Sequence, residues 1–240
     1  MRLAGKVAIV TGATGGLGVS ICEVFEREGA TVVPVDLQGD ALHLDVGSDE
    51  GNRAMVDEAL ARHGRLDALI LNAGAQHVAA IPEFPEGEWD RLFDVMVKGP
   101  WLAMKHAWPH VARPGGRIVV TASGSSFIAE QFKSAYVAAK HAVLGLVRVA
   151  ALEGGPLGMT ANAVGPGWMR TPMVENQLAD QMHLHGRTRE EVIESMVERH
   201  PVKRFVEPEE VANTIAFLAS AEASGINGSF VPVDLGTLAC

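Results

Sequence analysis

Short β-branched apolar runs return along this chain at intervals filled by helical patterns: "KVAIVTG" (6–12), "TVVPVD" (31–36), "DALILNAG" (67–74), "RIVVTAS" (117–123), "TANAVGPG" (160–167) and "SFVPVDLG" (229–236). Runs that stay apolar along their length suit strands covered on both faces, and strands that alternate with helices pair in parallel through crossovers. The pattern predicts an α/β fold with a doubly wound parallel sheet. Two of the helices carry their own boundaries. "LGVSICEVFEREG" closes on Gly29, and "SDEGNRAMVDEALARHG" opens on Ser48 as cap and closes on Gly64.

Two features break the regularity. Only "LQGDA" separates the strand ending at Asp36 from the next apolar run, "LHLDV". A parallel crossover normally needs a dozen residues or more, so a compressed link without a proper helix is expected there. Pro34 falls inside a predicted inner strand, where it removes a ladder donor and predicts a local bulge.

Residues 168–206 are polar, charged and helical and follow a glycine-proline turn. An insertion after the C-terminal end of a strand is where lids over active sites occur; an ordinary pair of surface helices is the alternative. Residues 1–240 are expected to form one domain with this lid-like insertion, a length at which a single core closes without staples.

The net charge of −9 is spread without a basic run, and aromatic residues at 5% are not interleaved with lysine or arginine. Phosphate backbones need clustered cations, so a nucleic-acid partner is not expected. Cys22 and Cys240 lie far apart and outside any metal-like or redox pair, which predicts neither a disulfide framework nor a metal site. The apolar run before Thr11 is too short for a signal-peptide core, and no run of consecutive apolar residues approaches the ~18 of a membrane span. A cytoplasmic setting without a membrane partner is the expectation.

"TGATGGLG" (11–18) follows the first strand and opens the first helix, the position in which a glycine-rich loop cradles a pyrophosphate at a helix N-terminus. Gly12, Gly16 and Gly18 differ in spacing from G-x-G-x-x-G but serve the same needs: a tight turn, close approach to phosphate, and packing of helix on strand. Asp36 ends the second strand 36 − 18 = 18 residues after the last glycine, near the ~20 expected for the acid that binds a ribose. Its carboxylate would accept from both ribose hydroxyls and repel a 2′-phosphate. Leu37 and Gln38 offer that phosphate no cation, so NAD rather than NADP is the expected cofactor.

In "FKSAYVAAKH" (132–141), Tyr136 and Lys140 stand one helical turn apart, with Lys133 on roughly the same side. A solvated helix face alone would also explain the lysines. Together with "LNAG" (71–74), "TASGS" (121–125) and "NAVGPGWMRT" (162–171), however, the chain resembles the short-chain dehydrogenase/reductase family over essentially its whole length. That resemblance implies a Rossmann-like, doubly wound parallel sheet of about seven strands with helices on both faces, and a homotetramer. It implies Ser123, Tyr136 and Lys140 as catalytic residues, with Lys140 lowering the phenol's pKa. It places Gly12, Thr14, Gly16, Leu17, Gly18, Asp36, Asp45, Val46, Asn72, Ala73, Gly74, Tyr136, Lys140, Pro166, Gly167 and Thr171 around the cofactor. It departs at Met96, where the family usually has an asparagine that holds a water of the proton relay; slower turnover, a rerouted relay, or a catalytically weak NAD-binding module would follow.

Within the family, "NAGAQHVAAIPEFPEGEWD" (72–90), "FKSAYVAAKH" and "TPMVENQLADQMHLHGRTREEVI" (171–193) resemble the branch that oxidises D-3-hydroxybutyrate. Gln76, Lys133 and Gln177 then match residues that hold the substrate carboxylate. Ser125 replaces a histidine of that cradle and Thr237 replaces a tryptophan, which loosens the pocket. The expected substrate is 3-hydroxybutyrate or a related 3-hydroxy acid; a neutral or cyclic secondary alcohol, leaving Lys133 idle, is the alternative.

Overall fold

The computed structural model describes residues 1–239; Cys240 lies outside the described residues. Strands β1 (Val7–Thr11), β2 (Thr31–Asp36), β3 (Leu42–His43), β4 (Ala68–Leu71), β5 (Arg117–Thr121), β6 (Thr160–Pro166) and β7 (Phe230–Val233) form a seven-stranded sheet in the order β3-β2-β1-β4-β5-β6-β7. Every pairing is parallel. The order reverses between β1 and β4, so their C-terminal ends part and open a crevice at the switch point.

Period-2 alternation builds the two cores. Val7 and Ile9 of β1 join Leu69 and Ile118 under helices α2 (Asp49–His63), α4 (Gly99–Val111) and α5 (Ser134–Gly154). Ala8 and Val10 face the other way, joining Ile70 and Val119 under α1 (Gly16–Arg27) and α8 (Pro208–Ala219). Phe25 of α1 is wholly buried in the second core, and truncating such a side chain to alanine costs about 3–5 kcal/mol. The caps read from sequence hold: Ser48 Oγ accepts from Gly51 N–H, and Gly64 ends α2 in the left-handed region at φ 70°.

The short link is as expected, since β2 passes to the two-residue β3 without a helix. Pro34 is tolerated for a different reason than a bulge. The register of β2 on β1 runs unbroken through Pro34, opposite Val10. The Val35 carbonyl accepts from Ala13 beyond β1, while the Asp36 carbonyl accepts from Leu44 beyond β3. Pro34, two residues before Asp36, therefore turns its nitrogen toward β3, whose pairing begins only at Val35. The missing donor falls where no acceptor is lost.

One expectation needs correction. Residues Ser134–Leu157 form a helical stretch long and apolar enough, by length and composition, to cross a membrane. The count of consecutive apolar residues missed it because alanine, valine and leucine raise the mean hydropathy around Lys140, His141 and Arg148. In the fold this is the central helix α5, with Val143, Leu144 and Val147 packed against the sheet.

The 168–206 segment forms α6 (Pro172–His185) and α7 (Arg189–Glu198), joined around a small apolar cluster of Leu178, Val192 and Met196 apart from the two main cores. His200 anchors it to the sheet: its Nδ1–H donates to the Arg204 carbonyl, and its Nε2 accepts from Trp168 N–H just past β6. Helix α3 (Glu86–Phe93) runs into α4 through a π-turn at Asp94–Lys98. Buried Met96 sits in that turn, against Ala135 and Ala139 of α5.

Candidate active site

The C-terminal ends of the strands and the α6–α7 segment line one cavity of about 550 Å³. Each cofactor, catalytic and substrate residue expected from the sequence lines it. The glycine loop shows why glycine is required. Gly12 stands at φ 64°, and a Cβ there would meet Ala73 Cα at 2.8 Å; a Cβ on Gly18 would lie 1.9 Å from the Gly12 carbonyl. Helix α1 begins with no capping side chain and no acid in its first turn. Its free N–H groups and positive dipole end suit a phosphate. The residues therefore fit a dinucleotide.

Asp36, at the end of β2, accepts from the amide and hydroxyl of Thr14 at 2.9 and 2.8 Å through Oδ2, and from Leu37 N–H through Oδ1. Asn72 does more than shape a turn. Its Nδ2 donates to the Thr11 and Gly12 carbonyls and its Oδ1 accepts from Thr121, so it ties β1, the glycine loop and β5 together. Thr11, absent from the expected set, completes this tie by accepting from the Asn72 and Ala73 amides. Asp45 caps its own turn through Gly47, and the Val46 carbonyl accepts from Asn52. Thr171, at the N-cap of α6, lies close to Gly16, where a Cβ would meet its Cγ2 at 3.1 Å.

Ser123 follows β5 and Tyr136 lies in the first turn of α5; both line the cavity, and Ser123 Oγ accepts from the Ser125 amide. Burial pushes the Tyr136 phenol up to about 12, against the lowering effect of Ser123. Lys140 Nζ lies 5.5 Å from the Tyr136 ring centre and donates to the Thr121 carbonyl at 2.7 Å. Burial brings its own pKa down to about 8. In the protein alone, desolvation is the largest influence on the phenol, and Lys140, 5.5 Å from the ring centre, does not offset it.

Deeper in the cavity the expected carboxylate cradle has a different state. Lys133 is buried, its Nζ 3.0 Å from Glu130 Oε2 and 4.2 Å from the centre of the Trp168 ring. Ser125 Oγ donates to Glu130 Oε1 at 2.8 Å, and the half-exposed Arg199 reaches the same carboxylate at 3.8 Å. Gln177 spends a side-chain N–H on the Met173 carbonyl. Gln76 lines the wall, its Oε1 accepting from His77 N–H. Glu130 and Arg199 were missed. The signal available was the i, i+3 charge pair Glu130–Lys133 just before the tyrosine. Thr237, in place of the larger aromatic, lines the cavity and donates its hydroxyl to Asp234. Among the described residues no cluster of metal-ligating side chains occurs.

Comparison with known proteins agrees with this arrangement. A short-chain dehydrogenase family model described as enoyl-(acyl carrier protein) reductase matches residues 12–237. An uncharacterised oxidoreductase of Bacillus subtilis, YxjF, is 39% identical, over 96% of this chain and 97% of its own. A D-beta-hydroxybutyrate dehydrogenase of Rhizobium meliloti is 36% identical over 96% and 98%. The structure of the aldohexose dehydrogenase of Thermoplasma acidophilum superposes with a TM-score of 0.92 at 35% identity, covering 99% of this chain and 96% of that one. In fold, motif order and sequence, the chain belongs to the short-chain dehydrogenase/reductase family.

Proposed function

We propose that this oxidoreductase is NAD-dependent and interconverts a secondary alcohol and its ketone in the cavity described. The observation that carries the reading is that Ser123, Tyr136 and Lys140 line the same cavity as the glycine loop and Asp36, with Lys140 one helical turn from the phenol. The α1 N-terminus, Gly12, Thr14, Gly16, Leu17 and Gly18 hold the pyrophosphate. Asp36 holds the adenosine ribose and disfavours a 2′-phosphate, and Asp45, Val46, Asn72, Ala73 and Gly74 form the adenine side. Pro166, Gly167 and Thr171 hold the nicotinamide amide. When bound, the oxidised nicotinamide supplies the hydride acceptor.

Ser123 holds the reacting oxygen and Tyr136 takes its proton. The phenol, about 12 in the protein alone, must fall on loading, and the cationic ring and Lys140 are the charges that favour the phenolate. The proton leaves by way of Lys140, whose pKa of about 8 suits exchange near neutrality. Met96, buried among apolar groups, holds no water there, so the relay runs on the Thr121 side where the Lys140 ammonium already points.

A 3-hydroxy acid such as 3-hydroxybutyrate is the first substrate reading, supported by Gln76, Lys133 and Gln177 all lining the cavity. A neutral secondary alcohol is the second, favoured by the commitment of Lys133 to Glu130. Rates with matched acids and neutral alcohols, using NAD and NADP in parallel, test the reading. It stands if NAD is strongly preferred, and equal use of NADP sinks the role of Asp36. The chain is read as one domain with a lid at 168–206, acting in the cytoplasm without nucleic acid or membrane. Homotetramer assembly is supported by the exposed Trp101, Val149 and Leu152 on α4 and α5.

A further inference from the structure

Glu130 is a carboxylate placed inside the wall meant for another carboxylate. It is nearly buried, at 15% side-chain exposure, and its two oxygens answer Ser125 and Lys133. Burial alone would raise its pKa, yet the lysine charge, these hydrogen bonds and Arg199 hold it below the ordinary carboxylate range. The carboxyl favours its ionised form, and Lys133 already has its counter-ion. An acidic substrate arriving here meets a fixed negative charge at hydrogen-bond distance from the cation it needs. Two carboxylates beside one lysine repel, which weakens the hold on an acid.

Buried acceptor capacity is left unfilled in this cavity. An ionised carboxylate has about four lone-pair sites, of which Ser125 and Lys133 use one each. Gln177 has its amide orientation fixed, because the Met173 carbonyl can only accept and so takes the Nε2–H. Its Oε1 is left buried with no donor. An unpaired buried acceptor is unfavourable until something donates to it. A carboxylate substrate carries no donor in its acid group and leaves this oxygen unpaired; a hydroxyl satisfies it. Cationic donors are disfavoured by Lys133 and by Arg199 at 3.8 Å from the same carboxylate.

We propose that Glu130 is a specificity-determining residue that occupies the anion cradle and, with Gln177, turns the pocket toward a neutral substrate bearing a second hydroxyl beside the one oxidised. The assignment rests on the reading of the chain as a secondary-alcohol dehydrogenase and deepens it. Glu130 serves as a hydroxyl acceptor, and Lys133 orients it.

The experiment compares wild type, Glu130→Gln and Glu130→Ala on 2,3-butanediol, 2-butanol and 3-hydroxybutyrate with NAD, and measures butyrate binding to the NAD-loaded proteins by calorimetry. Glu130→Gln keeps the shape and removes the charge and one of the two acceptor oxygens, so a readout survives if the alanine variant is unstable. Wild type should use the diol at least about tenfold better, in kcat/KM, than either 2-butanol or the acid, since a good hydrogen bond to a charged group is worth that or more. Both variants should lose diol selectivity, gain on the acid by tenfold or more, and bind butyrate correspondingly tighter. A wild type that prefers the acid, or an acid-to-diol ratio that Glu130 substitutions leave unchanged, overturns the proposal. If no alcohol turns over, the dehydrogenase reading falls, while the butyrate measurement still decides the role of Glu130: unchanged affinity overturns it and tightening upholds the cradle block.

Discussion

Lys140 donates its Nζ proton to the Thr121 carbonyl at 2.7 Å, joining the middle of α5 to the end of β5 at the floor of the site. That single bond holds a nearly buried cation whose pKa burial depresses to about 8 from an ordinary 10.5. A depressed lysine pKa means the unfolded chain binds the proton more tightly. The cost to folding is therefore fully present below pH 8 and fades as pH rises toward 10.5, and at about 1.4 kcal/mol per unit it is about 3 kcal/mol. Lys140→Met removes that cost along with one hydrogen bond. The cofactor-free variant should melt a few degrees higher than wild type at pH 7, with the gap closing by pH 10, and should have lost activity. A variant that melts lower at pH 7 would show that the charge is not a net burden.

Asp36 and Thr14 form the corner proposed to select the nucleotide. Asp36→Ala removes the acceptor for the ribose hydroxyls and frees the Thr14 amide and hydroxyl. The KM for NAD should rise by about tenfold to a hundredfold, the range for losing a charged hydrogen bond, and the NADP constant should fall or stay level. A parallel rise in both constants would mean that Asp36 only braces the loop.

The packing of α1 on the glycine loop leaves no room at Gly18. A methyl there would sit 1.9 Å from the Gly12 carbonyl oxygen, so Gly18→Ala must push the helix N-terminus off the loop. Nucleotide binding by fluorescence titration should weaken by at least tenfold, since the phosphate depends on those N–H groups. Affinity within twofold of wild type would contradict the cradle.

The sequence made the sheet legible because its strands stay apolar and its helices alternate with them, and Ser48 and Gly64 mark α2 at both ends. The compressed passage from β2 to β3 was readable from chain length alone. The reason Pro34 survives was not, because it depends on which neighbour the nitrogen faces and on where β3 starts. The cofactor loop and the Ser123–Tyr136–Lys140 set were likewise readable, as they lie in fixed order after strands. The state of Lys133 was not. It depends on Glu130 across a turn in which Phe132 takes φ 65° and on Arg199 from the lid, contacts that spacing does not reveal. The raised phenol of Tyr136 is also a product of burial, a quantity the motif does not carry.

The central claim is that Tyr136 moves the substrate proton during NAD-linked oxidation. It is tested most directly by following NADH formation by wild type and by Tyr136→Phe over a panel of secondary alcohols, with NAD affinity measured in both. The account predicts turnover by wild type and a loss of about a hundredfold to ten-thousandfold in the variant, the span for a removed acid–base group, with NAD affinity kept within a few-fold. Turnover that survives in Tyr136→Phe would contradict it.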